Sequence, residues 1–395
     1  MASMGMRTAC GGCGNTELYT FLDLGKSPLA GDFVTPDSTP QLWLPLSLGV
    51  CPNCWLVQQM YIVEDEDIFN DTYPATAGLD TWDNHALATL LISRHQEQLA
   101  RGPVVEIGVN DGDLLQHFHA YKTIGVDPAG VATRNTLLNV INERFNLTLA
   151  RKIRNTEGEA GLVIARHVVD RVIDLDDFFA GLDALVSPFG LVIIETSYLG
   201  ATLMGNHFGD VMHERRYHFS LTTISAIAER YGLFVENVEL SGHNMRLTLG
   251  RNGPSFGVVE LRRGETWMAQ RETYEGVQGR VEFIKNRIVE FVERERTSGR
   301  RVAAYGATNE GMTLLLYCGL NANKIEYVVD PTRGDRLNTS TPGFYIPVIA
   351  PGEWPKPDTY LILDWHHIGQ LLRAGASYLA EGGRFIVPLP DPMII

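Results

Sequence analysis

Short apolar runs bounded by glycine, proline and asparagine alternate with longer stretches of helical periodicity, and this alternation predicts the elements of the chain. Residues 1–65 carry alternating apolar positions (LWLPLSLGVC, WLVQQMYIV) among many glycines and prolines, the pattern of small strands. From 66 to 255, strand-like runs at 103–109, 123–128, 161–168, 190–197, 237–242 and 245–251 are separated by helical stretches. Strands so spaced predict a parallel sheet covered on both faces. Residues 264–300 are charged, with Val281, Phe283, Ile284, Ile288, Phe291 and Val292 at helical spacing. They predict one long amphipathic helix whose Glu282, Glu290, Glu293 and Glu295 face solvent. A strand, glycine turn and helix beginning at Arg301, then the runs IEYVVDP, DTYLILDW and RFIVPLP, predict a second small α/β unit. The expected division is 1–65, 66–255 and 256–395, in agreement with a length above the roughly 250–300 residues at which single cores stop growing. Trp82, His85 and Trp365 read as packing residues.

At 45% hydrophobic and 20% charged residues, the composition excludes a disordered or fibrous protein. No apolar run approaches a membrane span, and the first residues lack the apolar region of a secretory signal, so a cytoplasmic protein is expected. The net charge of −14 argues against nucleic acid as a partner. Neither a membrane nor a nucleic acid is therefore expected to bind, and the partner is a small molecule.

Four of the five cysteines fall in two identical pairs, Cys10-Gly-Gly-Cys13 and Cys51-Pro-Asn-Cys54. A CxxC turn points two thiolates at one tetrahedral ion, and two such turns close a four-sulfur shell. A structural zinc is expected there, because no coordination position stays open for chemistry. Cys318, inside an apolar run, reads as a buried filler.

The run Val104 to Leu115 is an apolar strand, a glycine turn and the start of a helix carrying Leu114, Leu115 and Phe118. Such a turn at the carboxyl end of a strand is where open α/β sheets bind ligands. A dinucleotide fold would show GxGxxG; here Glu106 precedes Gly108, and Asn110, Asp111 and Gly112 follow it. Asp127-Pro128 ends the next strand, where a carboxylate accepts both hydroxyls of a ribose. A glycine turn with this acid indicates a nucleoside cofactor without identifying it. A second cluster, Asn206 to Ser220, gathers three histidines, acids and arginines on a loop, a density suited to proton transfer or to a solvated turn.

Taken in order, these parts resemble the sugar C-methyltransferases that act at C3 of nucleotide-linked 4-keto-6-deoxy sugars in antibiotic biosynthesis. CGGCGN, LDLGKSPLAGDF and the second CxxC are similar to that family's zinc-binding head. EIGVNDGDLL looks like its S-adenosylmethionine loop, and AAYGATNEGMTLLLYCGL, TPGFYIPV and LILDWHH resemble its carboxyl-terminal domain. The resemblance implies a zinc head, a Rossmann-like class I methyltransferase domain and a third, Rossmann-like α/β domain that helps bind the acceptor, in a monomer. It implies cofactor contacts from Glu106, Gly108, Asn110, Asp111, Gly112, Leu114, Asp127 and Pro128, and from Arg166 and His167 in the stretch RHVVDRV. The implied chemistry is removal of a proton beside a ketone and attack of the enolate on the sulfonium methyl.

The chain departs from the family in the loop that would handle the sugar. His213 and Glu214 are kept, but Met212 replaces a tyrosine, Arg215 the family's base histidine, and His218 a later tyrosine. Upstream, Tyr73-Pro74-Ala75-Thr76-Ala77 is what remains of a Tyr-x-Tyr-x-Ser segment, Arg336-Leu337-Asn338 replaces Lys-Gln-Gly, and His243 is new. Arginine cannot accept a proton. The acid/base work is therefore expected of His213, Glu214, His218, Tyr73 or His243, with Glu214 paired to His213 or His218. The alternatives are the same fold methylating oxygen, nitrogen or another carbon, or binding the cofactor without turnover.

Overall fold

The computed structural model describes residues 5–35, 40–69, 81–331 and 334–395. At its centre lies a seven-stranded sheet ordered Val140–Ile141, Thr123–Val126, Val104–Ile107, Ala160–Arg166, Val186–Ser197, Asn244–Gly250, Phe234–Ser241. The first five are parallel. Val104, Val105, Leu162, Val163, Ile164 and Val192 are wholly buried, as strands covered on both faces must be. The last two expected strands are not parallel: Phe234–Ser241 and Asn244–Gly250 form an antiparallel hairpin. Only Gly242 and His243 join them, too few residues for the crossover a parallel pair needs. Helices Leu147–Glu157 and Leu175–Leu185 begin at Asn146 and Asp174, whose side chains accept backbone N–H groups of the first turn.

After Val104–Ile107 the chain moves to the strand on one side, and after Val140–Ile141 it returns to the strand on the other. The order reverses between Val104–Ile107 and Ala160–Arg166, so a crevice opens at their carboxyl ends. The expected helix after Gly112 is only a single 3-10 turn, Leu115–Phe118, though Leu114, Leu115 and Phe118 are buried as read.

The head is a four-stranded antiparallel sheet of Tyr19–Ser27, Leu44–Val50 and Val57–Gln59, completed by Tyr217–His218 from the histidine-rich segment. The third sheet has six strands, ordered Val348–Ile349, Val328–Val329, Val302–Tyr305, Thr359–Ile362, Arg384–Val387, Met393–Ile394, all parallel except the last. Among the described residues, no helix is long and apolar enough to cross a membrane.

The long amphipathic helix spans Val277–Thr297, and the residues before it break into shorter turns. One of its acids departs from the solvated face. Glu295 is 1% exposed and receives Arg384, Arg300 and the hydroxyl of Thr359, 2.9 Å away. It sits where the helix crosses the third sheet, so burial is offset by two cations and a hydroxyl. His85 also departs: it is exposed, set edge-on to His117, whereas Trp365 is buried as expected. Trp82 is in the helix Thr81–Arg94.

Glu295→Ala should lower the free energy of unfolding by about 2–3 kcal/mol, the lower end for a buried charge pair because both arginines regain water. A urea midpoint equal to that of the unchanged protein would mean the carboxylate contributes nothing net.

Candidate functional site

The two CxxC turns fold alike. Gly14 N–H donates to the Cys10 carbonyl at 2.9 Å and Trp55 N–H to that of Cys51 at 2.8 Å, so each turn presents its two sulfurs on one side. All four Sγ atoms of Cys10, Cys13, Cys51 and Cys54 lie within 4.8 Å of one another. Cys10–Cys54 and Cys13–Cys51 are each 3.6 Å apart. A tetrahedral zinc with bonds of about 2.3 Å needs sulfurs about 3.8 Å apart, so the cage fits the ion. The Gly12 N–H and the amides of Asn15 and Asn53 point at Cys10, Cys51 and Cys13, the partners that thiolate ligands require. Cys318 is buried, and burial pushes its thiol up to about 12.

A cavity of about 410 Å³ occupies the crevice, within the roughly 300–1,000 Å³ of small-molecule sites. Of the ten residues expected to meet the cofactor, Glu106, Gly108, Asn110, Asp111, Leu114, Asp127, Pro128, Arg166 and His167 line it. Gly112 does not; a Cβ there would meet Leu138 at 2.1 Å, so it serves close packing beneath the loop. Gly108 has φ +75°, and a Cβ on it would meet Val168 at 2.3 Å, so only glycine lets the two strand ends approach.

Two of the acids on this wall sit at the ends of adjacent strands. Glu106 is 5% exposed, and its Oε2 has no hydrogen-bond partner within the chain. Burial raises it to about 8, with Asp111 and Asp127 adding to the effect against Arg166. Asp127 accepts the N–H groups of Asn110 and Ala129, both at 2.8 Å, which fixes its carboxylate at the strand end. Burial raises it too. A free buried oxygen and a second carboxylate with lone pairs to spare suit the hydroxyls of a nucleoside. The residues present therefore fit S-adenosylmethionine.

Sequence reasoning missed the polar ring behind this wall. Asn84 donates to Asp113 at 2.8 Å and accepts from Arg166, bridging the loop to the fourth strand. Glu195 accepts Arg246 at 2.9 Å and faces Arg166 and His167 at 3.6 Å. Burial works against its charge, but His167, Arg166 and Arg246 together hold it below the usual carboxylate range. An acid interrupting the apolar run LVIIETS was the available signal for Glu195; Asn84 had none.

The histidine-rich segment is buried rather than solvated. Arg215 is 4% exposed and lies against Asp170 (3.3 Å), Asp210 (3.6 Å) and Glu310 (3.8 Å). Arg216 reaches Asp65 at 2.6 Å and the Val63 carbonyl at 2.7 Å, while His213 meets the Pro45 carbonyl at 3.2 Å. These contacts tie the segment to the head. Glu214 is bound by Asn309 at 3.0 Å and faced by Arg171 at 3.8 Å, so the expected pairing with His213 or His218 is not formed. His218 is 2% exposed with both ring nitrogens unpartnered, and burial, aided by Arg215, lowers it to about 4. His243 is half-buried on the hairpin turn, its ring stacked on His366 at 3.8 Å. Tyr73 lies outside the described residues, and Arg336 is buried with its guanidinium on Asn309 at 2.5 Å.

Cys51→Ser should remove the zinc and with it the fold of the head; elemental analysis giving one zinc per chain in both proteins would overturn the cage. A second expectation concerns acid. A histidine lowered on folding takes up its proton in the unfolded chain first, so stability is lost as pH falls from about 6.5 towards 4. His218→Leu should lose up to about 1.4 kcal/mol less per pH unit across that window. Equal slopes in urea unfolding would mean His218 is not the titrating group.

Residues 10–69 match a zinc binding domain, 80–238 a methyltransferase domain and 241–390 the C-methyltransferase C-terminal domain. Along its length the chain is 28% identical to C-methyltransferase NovU of Streptomyces niveus, covering 98% of this chain and 96% of NovU. Among solved structures, the PH0226 protein of Pyrococcus horikoshii OT3 aligns at 15% identity over 48% of this chain and 100% of its own, with TM-score 0.37. The magnesium protoporphyrin IX methyltransferase of Synechocystis PCC 6803, crystallised with SAH, aligns at 16% identity over 44% and 83%, with TM-score 0.34. Three domain matches in this order, joined to a likeness to a C-methyltransferase along the whole chain, identify the protein as an S-adenosylmethionine-dependent methyltransferase.

Proposed function

We propose that the protein methylates a carbon beside the ketone of a nucleotide-linked (thymidine-diphospho) keto-deoxysugar through an enolate, with His243 as the base. The full-length likeness to a C-methyltransferase supports carbon as the acceptor, and the resemblance of the chain's parts to sugar C-methyltransferases supports the sugar. One observation carries the choice of base. Of the described groups expected to move a proton, His213, Glu214 and His218 are at most 5% exposed, whereas His243 is half-buried. Its backbone carbonyl accepts the Tyr198 N–H at 2.8 Å, just past the strand that carries Glu195, whose carboxylate faces His167 on the cavity wall.

S-adenosylmethionine supplies an electrophilic methyl group on a sulfonium. The chain's residues supply the rest. Glu106, Asp127 and the Gly108 turn hold the nucleoside end, and the Glu195 ring fixes Arg166 and His167 on the cavity wall. His243 takes the proton from the carbon beside the ketone, leaving an enolate. The enolate carbon would take the methyl that the bound cofactor offers, and the cofactor's sulfur would keep the electron pair of the C–S bond. Burial, His366 and Arg215 hold His243 down to about 3, against the pull of Asp210, so the imidazole is neutral at working pH, at the cost of a lower proton affinity.

In heavy water, mass spectrometry with a panel of thymidine-diphospho-4-keto-6-deoxy sugars should detect a gained methyl, and deuterium exchange beside the ketone when the cofactor is withheld. His243→Asn should slow that exchange by about 100-fold or more. Between pH 8 and 5 the exchange rate should show no fall from protonation of the base. Neither methylation nor exchange across the panel, with the cofactor still bound, would remove keto sugars as acceptors; exchange surviving in His243→Asn would move the base elsewhere.

A further inference from the structure

Where the central domain meets the third, the structure assigns a second metal site: His207, Asp210 and His366 form a two-histidine, one-carboxylate set for a divalent transition-metal ion, separate from the cysteine cage. One donor atom from each of the three lies within 4.8 Å of the others. The sequence builds half of this locally. Phe208–Asp210 is a 3-10 turn following His207, and in such a turn side chains three apart eclipse one another, so His207 and Asp210 share a side. The third member comes from the other domain. Gly209 has no side chain, and a Cβ there would strike the Trp365 ring at 2.5 Å; its absence lets Trp365 pack in and carries His366 to the turn.

The donors lack hydrogen bonds on the sides that face one another. Asp210 is fully buried; its Oδ2 accepts the Thr202 hydroxyl at 3.1 Å, and its Oδ1, without a hydrogen bond, lies 3.6 Å from the Arg215 guanidinium and 3.8 Å from His366 Nε2. His366 Nε2 and His207 Nδ1 are buried atoms that also lack partners. Three unsatisfied buried atoms converging on one point are costly unless something binds them. His243, stacked 23° from parallel on His366, fixes that ring, as the Thr202 hydroxyl fixes the carboxylate; outer groups orient metal ligands in this way.

Charge points the same way. Asp170, Asp210, Glu310 and Glu214 lie against two cations, Arg215 and Arg171, leaving excess negative charge at this junction. A bound dication would offset it. Imidazole and carboxylate donors in this number select borderline ions such as Fe2+, Co2+, Ni2+ or Zn2+ and leave positions open, unlike the closed sulfur cage. The bonds require the 3.8 Å gap, and the His207 spacings of at most 4.8 Å, to shorten towards about 3.4 Å, the spacing of tetrahedral ligands.

The test adds Co2+ to full-length protein whose cysteine cage already holds zinc. One Co2+ per chain should bind, with visible d–d absorption and without thiolate charge-transfer bands. His366→Gln, at the partly exposed rim, and His207→Gln should each weaken binding about 10-fold or more, with the zinc content unchanged. No binding of Co2+ beyond the buffer's own, binding with thiolate bands, or equal affinity in both variants would overturn the site. None of these outcomes depends on which acceptor is methylated.

Discussion

A guanidinium with almost no access to water governs the junction of the domains. Arg215 has to find counter-charge inside the protein, and it finds it in three places: Asp170 beyond the fourth strand, Asp210 on the neighbouring turn, and Glu310 in the first turn of the third domain's helix Asn309–Cys318. Losing one partner of a buried ion pair typically costs about 3–5 kcal/mol, more than most surface contacts together, so the surrounding elements are held to one arrangement. The turn carrying His207, the loop after the fourth strand and the third domain are thereby positioned with respect to one another.

The same constraint changes what the loop can do. At the position where the family resemblance implies a base, the arginine turns inward onto carboxylates of its own chain rather than outward to an acceptor. At the rim stand His243, from the hairpin turn, and His366, from the third domain. Both arrive through local geometry: a two-residue turn too short for anything but a hairpin, and a glycine that admits the ring beside His366. The imidazoles nearest the rim are the stacked pair His243 and His366, while His213 and His218 stay buried.

Much of this was legible in the chain before its coordinates. Strand positions followed from apolar runs, the cage from cysteine spacing, and the cofactor crevice from a glycine turn with an acid on each side, because these features are local. What escaped was set by partners distant in sequence. Glu295 reads as one acid among several on a charged helix; only Arg384 and Thr359, brought by the third sheet, bury it. Glu214 stands beside His213 in sequence, yet successive residues point apart, and Asn309 from another domain takes its carboxylate. The His207–Asp210–His366 grouping needed a contact across more than a hundred residues, which spacing alone does not encode.

The zinc head, although it lends the cavity only Asp65 and Phe69, is part of the same mechanical system. Its first knuckle places Gly11 N–H on the Gln58 side chain at 3.0 Å, and a Cβ at Gly11 would collide with the Tyr217 hydroxyl. Gln58 lies on the strand that pairs with Tyr217–His218, and next to it Gln59 binds the Met212 carbonyl at 2.8 Å. Four metal–sulfur bonds thus fix a turn, the turn fixes a strand, and the strand fixes both ends of the segment that holds Arg215. A loop dense with charge and imidazole would, by its composition, favour open solvent; pinned along one edge to a cross-linked sheet, it stays buried. The cage thereby helps set where the segment from Met212 to His218 lies and which histidines are left at the rim.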